Sequence, residues 1–256
     1  MQEPPDPVSL DAPWTRSPVA CVARSAIVCG VLGPLMDLYT HRRVLGREHL
    51  AGLDAPVLFV ANHASHMDTP AILRALPARW RRRTAVAAAA DYFYADRRLS
   101  LAVALSFGTV PLERTGGGAL NGSIPLINAL IADRWSLLLY AEGTRSRDGV
   151  VGRLRSGAAL LAGAHGLPIV PVHVAGTHAA MPTGRGWMTR APGAGIGARR
   201  PIEIRFGAPI RPALGEDRNE VTERVRRFFE ESGARTTSPQ RTAGAEGSSS
   251  AAARGA

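Results

Sequence analysis

Apolar residues fall along this chain in two rhythms. Short unbroken runs bounded by turn residues occupy positions 57–61, 84–89, 136–140, 169–174 and 202–206, the pattern of strands buried on both faces. Between them, positions 69–76, 97–106, 124–132, 156–165 and 221–231 place apolar residues at helical spacing. The alternation predicts an α/β fold: a single-domain sandwich with a largely parallel central sheet flanked by helices. Both rhythms stop near the termini. Residues 1–18 are rich in Pro and acidic residues, and 232–256 in Gly, Ser, Ala, Thr, Pro and Arg, so both are expected to be disordered around a folded body over 19–231.

One stretch fits neither rhythm. Residues 19–39 are apolar but carry Arg24 and Asp37, leaving an uninterrupted run over 25–36. That is short of the roughly 20 residues a membrane-spanning helix needs, so the expectation is an interfacial or buried helix. The acidic, Pro-rich start does not resemble the basic n-region of a secretory signal peptide. Cys21 and Cys29 have neither the number nor the spacing of a disulfide framework or zinc site, which makes a reducing, cytosolic setting the default.

Charge narrows the ligand classes. Lys plus Arg total 31 against 21 Asp plus Glu, a formal net charge of +10, and every one of those cations is Arg. Arg grips phosphate through a planar, permanently charged fork, so an anionic lipid surface, nucleic acid, or phosphorylated and CoA-type ligands all fit. With aromatics at 5% and no helix-turn-helix or stacking-sheet signature, a nucleic-acid partner is not expected. The stretch Gly193-Ala194-Gly195-Ile196-Gly197 follows no convincing strand and opens no helix, which argues against a dinucleotide loop.

Four polar clusters carry the candidate chemistry. Asn62-His63-Ala64-Ser65-His66-Met67-Asp68 leaves a predicted strand and leads into a predicted helix. A carboxylate at that spacing can hold one ring nitrogen of His63 and raise the basicity of the other. The result is a base and its orienter with no protein nucleophile, a role the substrate's own hydroxyl could fill. Asp68 as a plain helix cap, and His63, His66 and Asp68 as metal ligands, are the competing readings. Next comes Gly108-Thr109-Val110-Pro111-Leu112-Glu113-Arg114, an apolar run ending in a charged pair, with Arg114 able to reach a phosphate or to pair with Glu113. Ala141-Glu142-Gly143-Thr144-Arg145-Ser146-Arg147 follows another strand with the makings of a phosphate cradle. There, Glu142 could instead orient an arginine. Finally, Pro171 interrupts the strand 169–174, implying an edge or a break in pairing at a pocket wall.

In this order and at these separations the four blocks resemble those of the glycerolipid acyltransferase family, over roughly 44–206 and most strongly at Asn62–Asp68 and Glu142–Ser146. The resemblance implies a glycerol-3-phosphate acyltransferase-like fold on the cytoplasmic face of the cell membrane, peripheral or monotopic. It also implies transfer of a fatty acyl group from acyl-CoA or acyl carrier protein to a lysophospholipid such as lysophosphatidate, in phospholipid biosynthesis, with no metal or redox cofactor. Carried over, His63 is the general base and Asp68 its partner; Arg114, Glu142, Gly143, Thr144 and Arg145 bind the acceptor phosphate, and Pro171 belongs to the acyl-donor side. Three positions depart from the family pattern: Ala141 replaces a proline, Glu113 an aspartate, and Leu154-Arg155 an aromatic-lysine pair. These departures keep a non-phosphatidate acceptor open. Anchoring would rest on the 19–39 helix and on Arg79, Arg81, Arg82 and Arg83 around Trp80. Outside the family, the alternatives are a metal-dependent hydrolase or a non-catalytic basic module.

Overall fold

A computed structural model of the chain describes residues 11–89, 97–112, 123–191 and 198–237. Seven strands, β1 (Thr40–Leu45), β2 (Leu58–Ala61), β3 (Thr84–Ala89), β4 (Thr109–Leu112), β5 (Ser136–Tyr140), β6 (Ile169–Ala175) and β7 (Arg200–Phe206), form one sheet in the order β1-β7-β6-β2-β5-β3-β4. Neighbours run parallel except β6 and β7, so β1 and β7 oppose the other five.

Helices cover both faces: α1 (Pro18–Asp37), α2 (Asp68–Ala75), α3 (Ala78–Arg82), α4 (Arg97–Phe107), α5 (Ile124–Ala132), α6 (Gly157–His165), α7 (Thr177–Ala180) and α8 (Arg218–Glu231). The central strands feed two separate cores because successive side chains point to opposite faces. Leu58, Val60, Leu137 and Leu139 pack with Ile127 of α5, Ala162 of α6 and Phe229 of α8. Phe59, Ala61 and Leu138 pack with Ile72 of α2, Trp80 of α3 and Val28 of α1. Each fully buried side chain of this kind contributes about 1.5–3 kcal/mol, which is why these strands read as continuous apolar runs.

β1 and β4 were not among the predicted strands. β1 is an edge strand whose Thr-His-Arg-Arg start carries no apolar rhythm. α8 begins three residues before its apolar pattern does, because Asp217 accepts from the Asn219 amide at 2.6 Å and caps the first turn.

The ordered body is wider than 19–231. A 3-10 turn spans Pro13–Arg16, with α1 capped by Ser17, and Thr236 bridges Val151 at the other end. α1 also corrects the expected short apolar run. It is a 20-residue helix, including a π-helical stretch over Ile27–Leu32, long and apolar enough by length and composition to cross a membrane. The helix continues through Arg24 because that fully buried side chain donates to the carbonyls of Thr15 and Leu105. At its other end Arg74 of α2 grips Asp37 through both terminal nitrogens, at 2.7 and 2.6 Å, and donates to the Gly33 carbonyl.

Pro171 does not mark a sheet edge. β6 is an interior strand, and Pro171 instead marks the expected break in pairing, between the last β6–β7 pair, Val172 with Phe206, and the separate Ile169–Ile210 bridge. Two residues on, His173 is buried against the Phe229 ring, and burial pushes its pKa down to about 4.

Candidate active site

Three adjacent parallel strands, β6, β2 and β5, deliver polar loops from their carboxyl ends to one place, where open α/β sheets bind ligands. Beyond the last β2–β6 pair, the Asn62 side chain continues the ladder: its amide donates to Val174 O at 3.0 Å and its oxygen accepts from Val174 N at 2.7 Å. This fixes the backbone as it enters His63.

His63 and Asp68 meet as their spacing predicted, with Nδ1 and Oδ2 2.9 Å apart. The same Oδ2 accepts from the amides of Ala64 and Ser65, at 2.7 and 2.8 Å. Asp68 therefore turns back toward its own loop and does not cap α2. A carboxylate accepts, so Nδ1 carries the proton and Nε2 keeps its lone pair. Beneath the imidazole lies the Tyr140 ring, stacked at 3.7 Å between centroids and 15° between planes. The Tyr140 hydroxyl pairs with Thr69, and desolvation together with the nearby charge of Asp68 pushes its pKa far up, keeping it neutral.

Two partners escaped the sequence reading. Thr177, fully buried at the start of α7, donates to Asp68 Oδ1 at 2.6 Å from 109 residues away. Tyr140 closes the strand that precedes the phosphate-type loop. Neither has a local signature: Thr177 reads as a helix start and Tyr140 as the end of an apolar run.

Glu142 has a different job from the one expected of it. Its Oε1 accepts from the His63 amide and its Oε2 from the Gly152 amide, both at 2.9 Å, so the carboxylate ties the β2 loop to the 150–156 loop. Both oxygens are occupied and the group is an anion, which unsuits it for contact with a phosphate. Burial raises its pKa, opposed by those two amides. Gly143 does sit in the turn, at φ +72. Thr144 and Arg145 line the cleft described below, and Arg145 Nη1 lies 2.5 Å from His66 Nε2. Guanidinium only donates, so His66 accepts there, and burial followed by the charge of Arg145 lowers the pKa of His66.

The site opens into a cleft of about 1680 Å³ with His63 and Tyr140 on its wall. Its lining combines Leu32, Leu35 and Met36 of α1 and Val103 and Phe107 of α4 with Arg145, Arg147, Arg153, Arg155 and Arg218. A long apolar chain and an anionic head would both find complementary residues in it. Pro171 is not part of this lining. It is buried, and its ring lies 2.8 Å from where a Gly207 Cβ would stand, beside Phe228. Arg114 and Glu113 fall outside the described residues, as does 193–197.

Of the metal-type donors here, Asp68 is held by four N–H and O–H donors, His63 Nδ1 by Asp68, and His66 Nε2 by Arg145. Among the described residues no group of three or more His, Cys, Asp and Glu is placed to hold one.

A family model described as Acyltransferase matches residues 41–175. The chain is 26% identical over 181 residues to the 1-acyl-sn-glycerol-3-phosphate acyltransferase BAT2, chloroplastic, of Brassica napus, covering 70% of this chain and 49% of that protein. It is 29% identical over 140 residues to the 1-acyl-sn-glycerol-3-phosphate acyltransferase LPAT1, chloroplastic, of Arabidopsis thaliana, covering 54% of this chain and 37% of that one. The chain thus spans about half the length, or less, of the curated relatives it matches. The crystal structure of the 1-acyl-sn-glycerophosphate acyltransferase PlsC from Thermotoga maritima has the same fold, with a TM-score of 0.58 at 23% identity over 83% of each chain.

Proposed function

The chain belongs to the acyltransferase family, and from that premise we propose that it moves a fatty acyl group from acyl-CoA or acyl carrier protein onto the free hydroxyl of 1-acyl-sn-glycerol-3-phosphate. The observation that carries this reading is the His63–Asp68 pair, its Nε2 lone pair free, on the wall of a cleft lined by both apolar side chains and arginines. His63 Nε2 takes the proton of the acceptor hydroxyl as that oxygen attacks the thioester carbonyl carbon. The tetrahedral intermediate then collapses, the C–S bond breaks, and the imidazolium returns the proton to the departing thiolate. Asp68 stabilises the imidazolium and holds the ring in the required tautomer. Thr144 and Arg145 bind the acceptor phosphate; Glu142 and Gly143 shape the turn that presents them. The chemistry calls for no metal or redox cofactor.

We place the enzyme on the cytoplasmic face of a membrane, serving phospholipid biosynthesis. Val19, Val22 and Val31 of α1 are more than half exposed on an uncharged face, while Leu32, Leu35 and Met36 of the same helix line the cleft. An apolar helix face of that kind favours a lipid surface.

The test is transfer of a radiolabelled long-chain acyl group from acyl-CoA, and separately from acyl carrier protein, to lysophosphatidate in detergent micelles without added metal. Wild type is expected to form phosphatidate and His63→Ala to lose at least about a thousandfold in kcat/KM, the scale of losing a base and its positioning. Full activity in His63→Ala would overturn the mechanism whatever the acceptor.

A further inference from the structure

We propose that Arg155 supplies a second guanidinium to the acceptor-phosphate site and that, paired with Arg145, it selects lysolipids whose phosphate is a monoester. The inference rests on the acyltransferase reading above and names the headgroup class that its anionic end accepts.

Arg155 is built into the turn that carries Thr144 and Arg145. A Cβ placed on Gly143 would come within 2.7 Å of Arg155 Nε and 2.9 Å of its Cδ, at a backbone φ of +72. Residue 143 is thus free of a side chain for two reasons: its conformation, and the passage of a guanidinium stem across it. The Arg155 amide donates to Ala141 O at 2.7 Å, and its Nε donates to Glu142 O at 3.3 Å. These contacts hold the stem against the turn while the side chain remains exposed on the cleft wall. Its two terminal nitrogens have no hydrogen-bond partner among the described residues, which leaves the fork of the guanidinium available to a ligand.

The surrounding charges favour a dianion. A phosphate monoester carries about −1.5 to −2 near neutral pH and offers three terminal oxygens, whereas a diester carries one charge on two such oxygens. Arg145, Arg155 and the Thr144 hydroxyl match the first. Two carboxylates border the site. Glu142 spends both oxygens on the amides of His63 and Gly152, and Asp148 is held by Ser146 Oγ and the Val150 amide. Neither faces Arg155 as an ion-pair partner. Arg227 of α8 is exposed and is not among the residues that line the cleft, so it serves as the control.

The decisive comparison measures binding and turnover separately. Calorimetry on the His63→Ala protein would use a short-chain lysophosphatidate, the matching lysophosphatidylcholine and the matching monoacylglycerol. Adding Arg155→Ala is expected to weaken lysophosphatidate binding about tenfold to hundredfold, the scale of one charge-assisted contact, and to leave the monoacylglycerol within about twofold. Arg155→Lys should recover part of the loss, and Arg227→Ala should stay within about twofold for all three. In turnover, Arg155→Ala in the otherwise native enzyme raises KM for lysophosphatidate with kcat little changed. Equal weakening toward charged and uncharged acceptors would reduce Arg155 to a brace of the turn and overturn the proposal, as would unchanged lysophosphatidate affinity. Selective loss of lysophosphatidate binding, with the wild-type protein transferring no acyl group, would support the phosphate site while sinking the acyltransferase reading, so the two failures are distinguishable.

Discussion

Two loops of similar size and composition leave adjacent strands and do opposite things with their polar groups. After β2, the Asn62–Asp68 loop turns inward: Asp68 accepts four hydrogen bonds, Asn62 completes a strand ladder, and Nε2 of His63 is left to offer. After β5, the loop turns outward. Glu142 is consumed internally and Arg145 reaches His66, while Thr144, Arg145 and Arg147 line the cleft. The first arrangement fixes where a proton sits; the second offers charge to something that arrives. What decides the difference is the partner supplied by the rest of the fold, since a polar residue with four donors around it is part of the scaffold and one facing open volume is a ligand in waiting.

The comparison is broken most severely at Asp68. Asp68→Asn places an amide against three N–H donors and removes the charge that stabilises the imidazolium, so kcat/KM for acyl transfer should fall by about a thousandfold or more. A loss under tenfold would mean that the inward loop does not set the proton. Glu142→Gln tests whether the outward loop depends on its one internal anchor. A glutamine can accept from His63 or from Gly152 but presents its NH₂ to the other, so a melting temperature several degrees lower and a kcat reduced about tenfold to hundredfold are expected. If only KM for the phosphate-bearing acceptor rises and kcat holds, Glu142 belongs with the ligand after all. The smallest effect should come from Thr177→Val, which removes one of the four donors to Asp68. A drop of about tenfold in kcat with KM unchanged, restored by Thr177→Ser, would place that hydroxyl in the orientation of the pair; an equal loss in the serine variant would assign it to packing alone.

Much of this was legible before any coordinates, and the boundary is physical. The strands buried on both faces announced themselves because a parallel sheet covered by helices leaves no polar alternation to confuse the pattern. His63 and Asp68 were legible because both belong to one seven-residue loop. β1 was not, since an edge strand has little apolar surface to bury and Arg42 and Arg43 hide its rhythm. The true work of Glu142 was equally hidden: its partners are backbone amides, which every residue but proline possesses, and no sequence marks the one at Gly152. The misjudged reach of α1 has a related cause. Counting charges treats Arg24 as an interruption, but here two carbonyls meet the buried guanidinium and the helix runs on through it.

The distance along the chain between Thr177 and Asp68 also sets an order of events. During synthesis the histidine and its aspartate emerge together, yet the hydroxyl that completes the carboxylate's shell, and the Val174 backbone that Asn62 grips, are made more than a hundred residues later. A nascent chain paused before β6 therefore carries the whole recognisable motif without the means to hold it still. Any chain released at that point would keep the His63–Asp68 pair and lack the enclosure that fixes it.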